Sequence, residues 1–194
     1  MLIPKLLITY NVTNELEHII QGCIDGDRSQ QEKLYQMFAS KMYGVCLRYS
    51  KNPEQAKDIL QDGFVKVFEK IGQFRNEGSF EGWLRRLMIN TALERFRKQR
   101  QVVSLDVLPD VAEMEDAEDD EVAFSMDELL SYIQMLPERY RMVFNLYVME
   151  EMTHKEVAEM MGITEGTSKS DLSRARVILQ NLINKKLNQV AKAI

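Results

Sequence analysis

Cysteine, histidine, proline and glycine are all scarce in this 194-residue chain, at 2, 2, 4 and 9 copies. Cys23 and Cys46 show neither CxxC nor mixed Cys/His spacing, which argues against a disulfide framework or a zinc site and for two small buried hydrophobes in a reducing compartment. His18 and His154 have no companions at metal-ligand spacing and read as surface residues. Apolar runs such as Leu6 to Ile8 fall far short of the ~20 residues a membrane span needs. Pro4 and Lys5 break the apolar patch at the start, and no cleavage-like tail follows, which speaks against a signal peptide. No nucleophile, base and metal constellation stands out, so a hydrolase reading has nothing to work with, and neither a catalytic residue nor a cofactor is expected.

With so few helix breakers, the plentiful Leu, Met, Glu, Lys, Gln, Arg and Ala decide the class, because these residues lose least on entering a helix. Apolar residues at 45% and charged residues at 28% allow a true core. The expectation is an all-α protein of two small helical domains. The 12 methionines fall mostly on inward stripes and read as core.

Net charge is −5, but its distribution is uneven. Residues 106–121 hold nine acids and no cation, and setting those acids aside moves the balance from −5 to +4. Immediately upstream, Arg85, Arg86, Arg95, Arg97, Lys98 and Arg100 face only Glu94. The acidic stretch lacks the glycine turn and alternating ligands of a calcium loop, so it reads as a solvated, self-repelling tether. The division is then a helical bundle over 1–100, a linker over 101–125 and a second domain over 126–194.

Asn14 and Glu17 resemble a capping box, followed by Leu16, Ile19, Ile20, Cys23 and Ile24 at helical spacing and a stop near Gly26. Asp27 or Ser29 opens a second helix with the stripe Leu34, Met37, Phe38, Met42, Val45, Cys46 and Tyr49. Asn52-Pro53 opens a third, whose outer face carries Asp58, Gln61, Asp62 and Val65. Ser79 caps a fourth with Phe80, Trp83, Leu84 and Leu87, and the phase of Trp83 favours core packing. Beyond the tether, Leu129, Leu130, Ile133 and Leu136 form a fifth stripe. Pro137 separates it from a sixth with Tyr140, Val143, Phe144, Tyr147 and Val148. Thr153 and Glu156 box a short helix that Gly162 ends, and Thr164 caps a last helix reaching at least Lys186. Short helix, glycine turn and long helix make a helix-turn-helix. The small hydroxyls and cations from Thr167 to Arg176 suit a helix lying in a DNA major groove.

Several ordered motifs make the chain resemble bacterial RNA polymerase sigma factors of the extracytoplasmic-function (ECF) subfamily, over roughly residues 26–183. These are Asp58-Ile59-Leu60-Gln61-Asp62-Gly63-Phe64; Phe74-Arg75, Gly78-Ser79-Phe80, Trp83-Leu84 and Asn90-Thr91-Ala92; and Leu136-Pro137-Glu138-Arg139-Tyr140-Arg141 followed by Leu172-Ser173-Arg174-Ala175-Arg176. The resemblance implies a promoter-specificity subunit that is not an enzyme, works in the cytoplasm and binds core RNA polymerase and promoter DNA. It also admits an anti-sigma protein as a partner. Asp58, Gln61 and Asp62 would then meet a basic coiled coil of the polymerase. Phe74 and Asn90 would line the pocket for a flipped downstream-element base, with Arg85, Arg86, Arg95, Arg97 and Lys98 on phosphates. Thr167, Ser168, Lys169, Ser170, Asp171, Arg174 and Arg176 would face the upstream element. Two positions depart from the family pattern: Ser168 stands where Val is common, and Asp171 where a basic or amide residue is common. A carboxylate at a base-reading position prefers cytosine N4.

A free-standing helix-turn-helix regulator, with 1–100 as a sensing or dimerising domain, is the competing reading. Such a repressor has no need of an aromatic and basic promoter-opening helix, and a palindrome-binding dimer would show an apolar seam.

Overall fold

Polar side chains at the helix starts set the boundaries of the elements. The Asp27 carboxylate accepts from the Ser29 amide at 2.8 Å. Asn52 Oδ1 accepts from the Gln55 amide at 2.8 Å, while Gln55 Oε1 reaches back to the Lys51 amide at 2.7 Å. Ser79 Oγ takes the Gly82 amide at 3.0 Å and Thr164 Oγ1 the Thr167 amide at 3.1 Å. Ser125 with Glu128, and Thr153 with Glu156, form full capping boxes, and these bonds hold both glutamates below the usual carboxylate range.

A computed structural model describes residues 15–102 and 124–191, so the capping role read for Asn14 and most of the acidic 101–125 stretch lie outside the described residues. The elements are α1 (15–24), α2 (Arg28–Tyr49), α3 (Pro53–Lys70), a 3₁₀ turn (Ile71–Gln73) and α4 (Phe80–Val102). After the undescribed stretch come α5 (Met126–Met135), α6 (Glu138–Phe144), a π-turn (Asn145–Met149), α7 (His154–Met161) and α8 (Glu165–Ala191). Among the described residues every regular element is helical, as the composition predicts. Backbone contacts divide them into two units, 15–46 with 57–91, and 47–56 with 92–102 and 124–191.

In the first unit Ile19 and Cys23 of α1, Leu34, Phe38 and Met42 of α2, Ile59, Phe64 and Val67 of α3, and Phe80, Leu84 and Met88 of α4 are buried. Helices α3 and α4 approach so closely at Gly63 that a Cβ there would run into the sulfur of Met88, itself buried. Burial pushes the Cys23 thiol up to about 11, and in the second unit the Cys46-flanking helix continues to a buried Tyr49. The Cys46 thiol is pushed up to about 12, again by burial, so both sulfurs stay protonated hydrophobes. Ile24 and Met37, expected to face inward, are instead exposed at 45% and 43%. Each stands at the flank of an apolar stripe whose centre already fills the space.

In the second unit α8 packs against α5, α6 and α7. Its core includes Leu136, Tyr140, Val143, Val157, Met161, Leu172 and Ala175. The π-turn changes the phase of the sixth stripe. A wider turn advances less than 100° per residue, so Asn145 and Leu146 are buried while Val148, expected inside, is exposed. Arg141 is 1% exposed, and its Nη1 donates to the Gln134 and Leu136 carbonyls at the end of α5, at 3.0 and 3.1 Å. Gly162, at φ 66°, ends α7 in the left-handed conformation that glycine adopts without penalty. Met126 and Met135 are exposed at 80% and 62%, so not all methionines are core.

Candidate nucleic-acid interface

In the first unit, the loop between the 3₁₀ turn and α4 closes over a hollow of about 390 Å³ lined by Phe74, Arg75, Glu77, Trp83 and Arg86. Phe74 meets Phe80 edge-on at 5.1 Å and Trp83 at 5.7 Å, and Trp83 stacks on Phe80 at 5.5 Å. Trp83 is thus both packed and lining, half-buried rather than wholly in the core. Asn90 is half-buried further along α4 and does not line this hollow. An aromatic wall with a cation at its rim can receive a planar base and hold its phosphate.

The cations of α4 differ in setting. Arg86, Arg97 and Lys98 are exposed, while Arg85 and Arg95 are half-buried. Arg97 belongs to the second unit, where it donates to the Met160 carbonyl. On α3, Asp58, Gln61 and Asp62 are all exposed, as their i, i+3, i+4 spacing predicts. Gln61 also borders an apolar trough with Tyr35, Phe64 and Val65, the last 53% exposed.

In the second unit, two of the expected DNA-facing residues turn out to face inward. Ser168 and Asp171 are both 0% exposed. Asp171 Oδ2 takes Arg139 Nε at 2.7 Å and Oδ1 takes Nη2 at 3.2 Å, so the carboxylate is buried and turned to a protein partner, out of reach of a cytosine. Ser168 Oγ shares a hydrogen bond with His154 Nδ1 at 3.0 Å, and the His154 ring stacks on Tyr147 at 4.3 Å. His154 is therefore half-buried and engaged rather than a plain surface histidine. Desolvation, then the nearby Lys169 and Arg176 against an opposing Glu165, hold its pKa below the ordinary imidazole value.

The reason lies in phase. Ser168, Asp171, Leu172 and Ala175 repeat at i, i+3, i+4, i+7, and Leu172 and Ala175 fix that stripe against the core. Lys169, Ser170, Arg174 and Arg176 remain exposed and Thr167 half-buried, with Arg174 also 3.4 Å from the Tyr140 hydroxyl. Ser173, on the same exposed face, was not among the residues singled out from the sequence, although the phase of Leu172 and Ala175 places it there.

Two family models match the chain: "Sigma-70 region 2" over residues 34–102 and "Sigma-70, region 4" over residues 126–179. The chain belongs to the sigma-70 family of RNA polymerase sigma factors, in its ECF branch. It is 27% identical over 185 residues to the RNA polymerase sigma-H factor of Pseudomonas aeruginosa, covering 89% of this chain and 96% of that protein. It is likewise 27% identical over 159 residues to the ECF sigma factor SigM of Bacillus subtilis, covering 81% and 97%. The fold resembles that of the sigma factor RpoE of Bartonella quintana, solved with the anti-sigma factor NepR, at a TM-score of 0.50 and 22% identity, covering 79% and 96%.

As an ECF sigma factor the protein directs core RNA polymerase to promoters and opens them for initiation. Among its described residues no helix is long and apolar enough to cross a membrane. The hollow at Phe74 and the basic helix α4 lie within the region 2 match, and the helix-turn-helix α7–α8 starts and turns within the region 4 match.

Proposed function

We propose that this sigma factor divides its work as follows. Residues 1–100 bind the polymerase and hold the opened downstream element, 101–125 form an acidic tether, and 126–194 read the upstream element. The exposed Asp58, Gln61 and Asp62 of α3 form the acidic docking face for core polymerase. Phe74 and Trp83 receive a flipped base, with Arg86 at the rim and Arg85, Arg95, Arg97 and Lys98 drawing the strand along α4. Asn90 belongs to this group by family position, as a contact to the opened strand outside the hollow. On α8, Lys169, Ser170 and Ser173 face base edges while Arg174 and Arg176 hold phosphates. Thr167 supports the turn. Ser168 and Asp171 act from beneath.

The observation that carries this reading is the aromatic hollow at the start of a cationic helix, since a duplex-only regulator has no use for a base-sized cleft. The protein acts as a binding subunit without catalysis of its own, in the cytoplasm, and an anti-sigma protein is a further partner of the polymerase-facing surfaces.

Core polymerase carrying the wild-type chain should melt a selected promoter, seen as permanganate-reactive thymines. Phe74→Ala should reduce that reactivity at least about tenfold while leaving closed-complex binding within about twofold, because a flipped base contributes only after melting. Equal loss of closed-complex binding would refute the pocket assignment.

A further inference from the structure

We propose that Arg139 and Asp171 form a positioning clamp that sets the rotation of α8 about its own axis and thereby decides which side chains face the upstream element. The proposal deepens, and rests on, the reading of α8 as the helix that reads this element. Asp171 sits in the second turn of α8 and is wholly buried; Arg139 sits in the first turn of α6 with its side chain 18% exposed. The two bonds, at 2.7 and 3.2 Å, run from Nε and Nη2 to the two carboxylate oxygens. Such a fork fixes an angle as well as a distance.

The angle matters because of helical geometry. Successive residues lie about 100° apart, so positions two before and two after Asp171 stand about 200° round the helix from it. Those positions are Lys169 and Ser173, both exposed. Holding the carboxylate inward therefore aims Lys169 and Ser173 outward. Packing of Leu172 and Ala175 sets this face, and the fork adds a directional restraint that apolar burial, which is non-directional, does not supply. The buried apolar residues of α8 are Leu172 and Ala175, and Ile178 and Leu179 add partly buried contacts further along the helix.

A second polar contact works alongside the first. Ser168, one turn before Leu172, is wholly buried and bonded to His154 at the start of α7. The helix is thus gripped from α6 by an ion pair and from α7 by a hydrogen bond. A buried ion pair adds little net stability compared with well-packed hydrophobes, and its best-attested use is to fix one arrangement among several of similar energy. A helix that must present two or three side chains to fixed base edges needs that kind of restraint. The arrangement also keeps a carboxylate next to a DNA-facing surface without repelling phosphate, since its charge is matched and covered.

The test uses full-length chain with core polymerase. The upstream element preferred by wild-type holoenzyme is selected from a randomised promoter library, and affinity for that element is compared with affinity for a scrambled one. Arg139→Lys, Asp171→Asn, the exchange Arg139→Asp with Asp171→Arg, and Lys169→Ala are measured at a temperature where each variant has wild-type helicity. Arg139→Lys keeps the charge but not the fork, so it reports on the angle alone. Each single clamp variant should lose about tenfold of the selected-over-scrambled ratio with scrambled binding unchanged. The exchange should recover most of it. Clamp variants that melt lower but keep the ratio, or an exchange no better than the single changes, overturn the clamp. If the exchanged protein does not fold, Arg139→Lys decides by itself. A changed preference for Lys169→Ala beside unchanged clamp variants leaves the reading of α8 standing and removes only the clamp. A wild-type holoenzyme that selects no upstream element removes both.

Discussion

The Nδ1 of His154 stands 3.0 Å from Ser168 Oγ, and its ring lies stacked on Tyr147, so the first helix of the helix-turn-helix is tied to the second through an imidazole. Burial and the cations Lys169 and Arg176 favour the neutral ring. The unfolded chain then binds more protons than the folded one below the ordinary imidazole value of 6.5, so stability is present above that pH and declines as pH falls through it. The melting temperature should drop more steeply between about pH 7.5 and 5.5 in the wild type than in His154→Gln. Parallel pH profiles for the two proteins would contradict this.

Arg141 should behave as a structural cation. Its Nη1 holds two carbonyls at the end of α5, so Arg141→Met leaves both without their charged donor. The expected loss is about 2–4 kcal/mol of unfolding free energy, read by urea denaturation. A loss below about 0.5 kcal/mol would mean that solvent replaces the guanidinium at no cost.

Gly63→Ala should destabilise the first unit, because the added methyl meets the buried Met88 sulfur where α3 and α4 cross. Overpacking of this kind costs about 1–3 kcal/mol, and Met88→Ala in the same chain should recover part of the Gly63→Ala loss measured in a double-mutant cycle. Strict additivity would place the effect elsewhere.

Asp58→Arg with Asp62→Arg should abolish co-purification with core polymerase while changing stability by less than about 1 kcal/mol, since both residues are exposed. Wild-type recovery of polymerase by the doubly substituted chain would move the docking face elsewhere.

Much of the fold was legible from periodicity and caps. Asn52, Ser79, Thr153 and Thr164 open the helices they were expected to open, and Gly162 ends α7. Val148 was misplaced because a π-turn leaves no compositional mark, and a stripe drawn at 3.6 residues per turn runs straight through it. Ser168 and Asp171 were misplaced for a different reason. Their spacing from Leu172 and Ala175 was visible, but polar residues on a buried stripe look like surface until a partner is found, and Arg139 lies 32 residues away in the chain. The hollow at Phe74 was foreshadowed by a glycine-bounded aromatic, whereas its partnership with Trp83 depends on how the loop folds back on α4.

The pairing of Arg139 with Asp171 also restricts how this helix can drift over evolutionary time. Loss of Arg139 alone leaves Asp171 as a buried, unpaired carboxylate, at a cost of about 3–5 kcal/mol, a large share of a small domain's stability, whereas loss of Asp171 leaves an arginine that is already partly exposed. Single changes from a clamp of one polarity to the other therefore pass through a less stable intermediate. Changes at 139 and 171 should arrive together, or one after the other on a background stabilised elsewhere, while Lys169 and Ser173 on the opposite side stay free to change one at a time. If α8 reads the upstream element as proposed, promoter preference can then evolve at its surface without disturbing the joint that aims it.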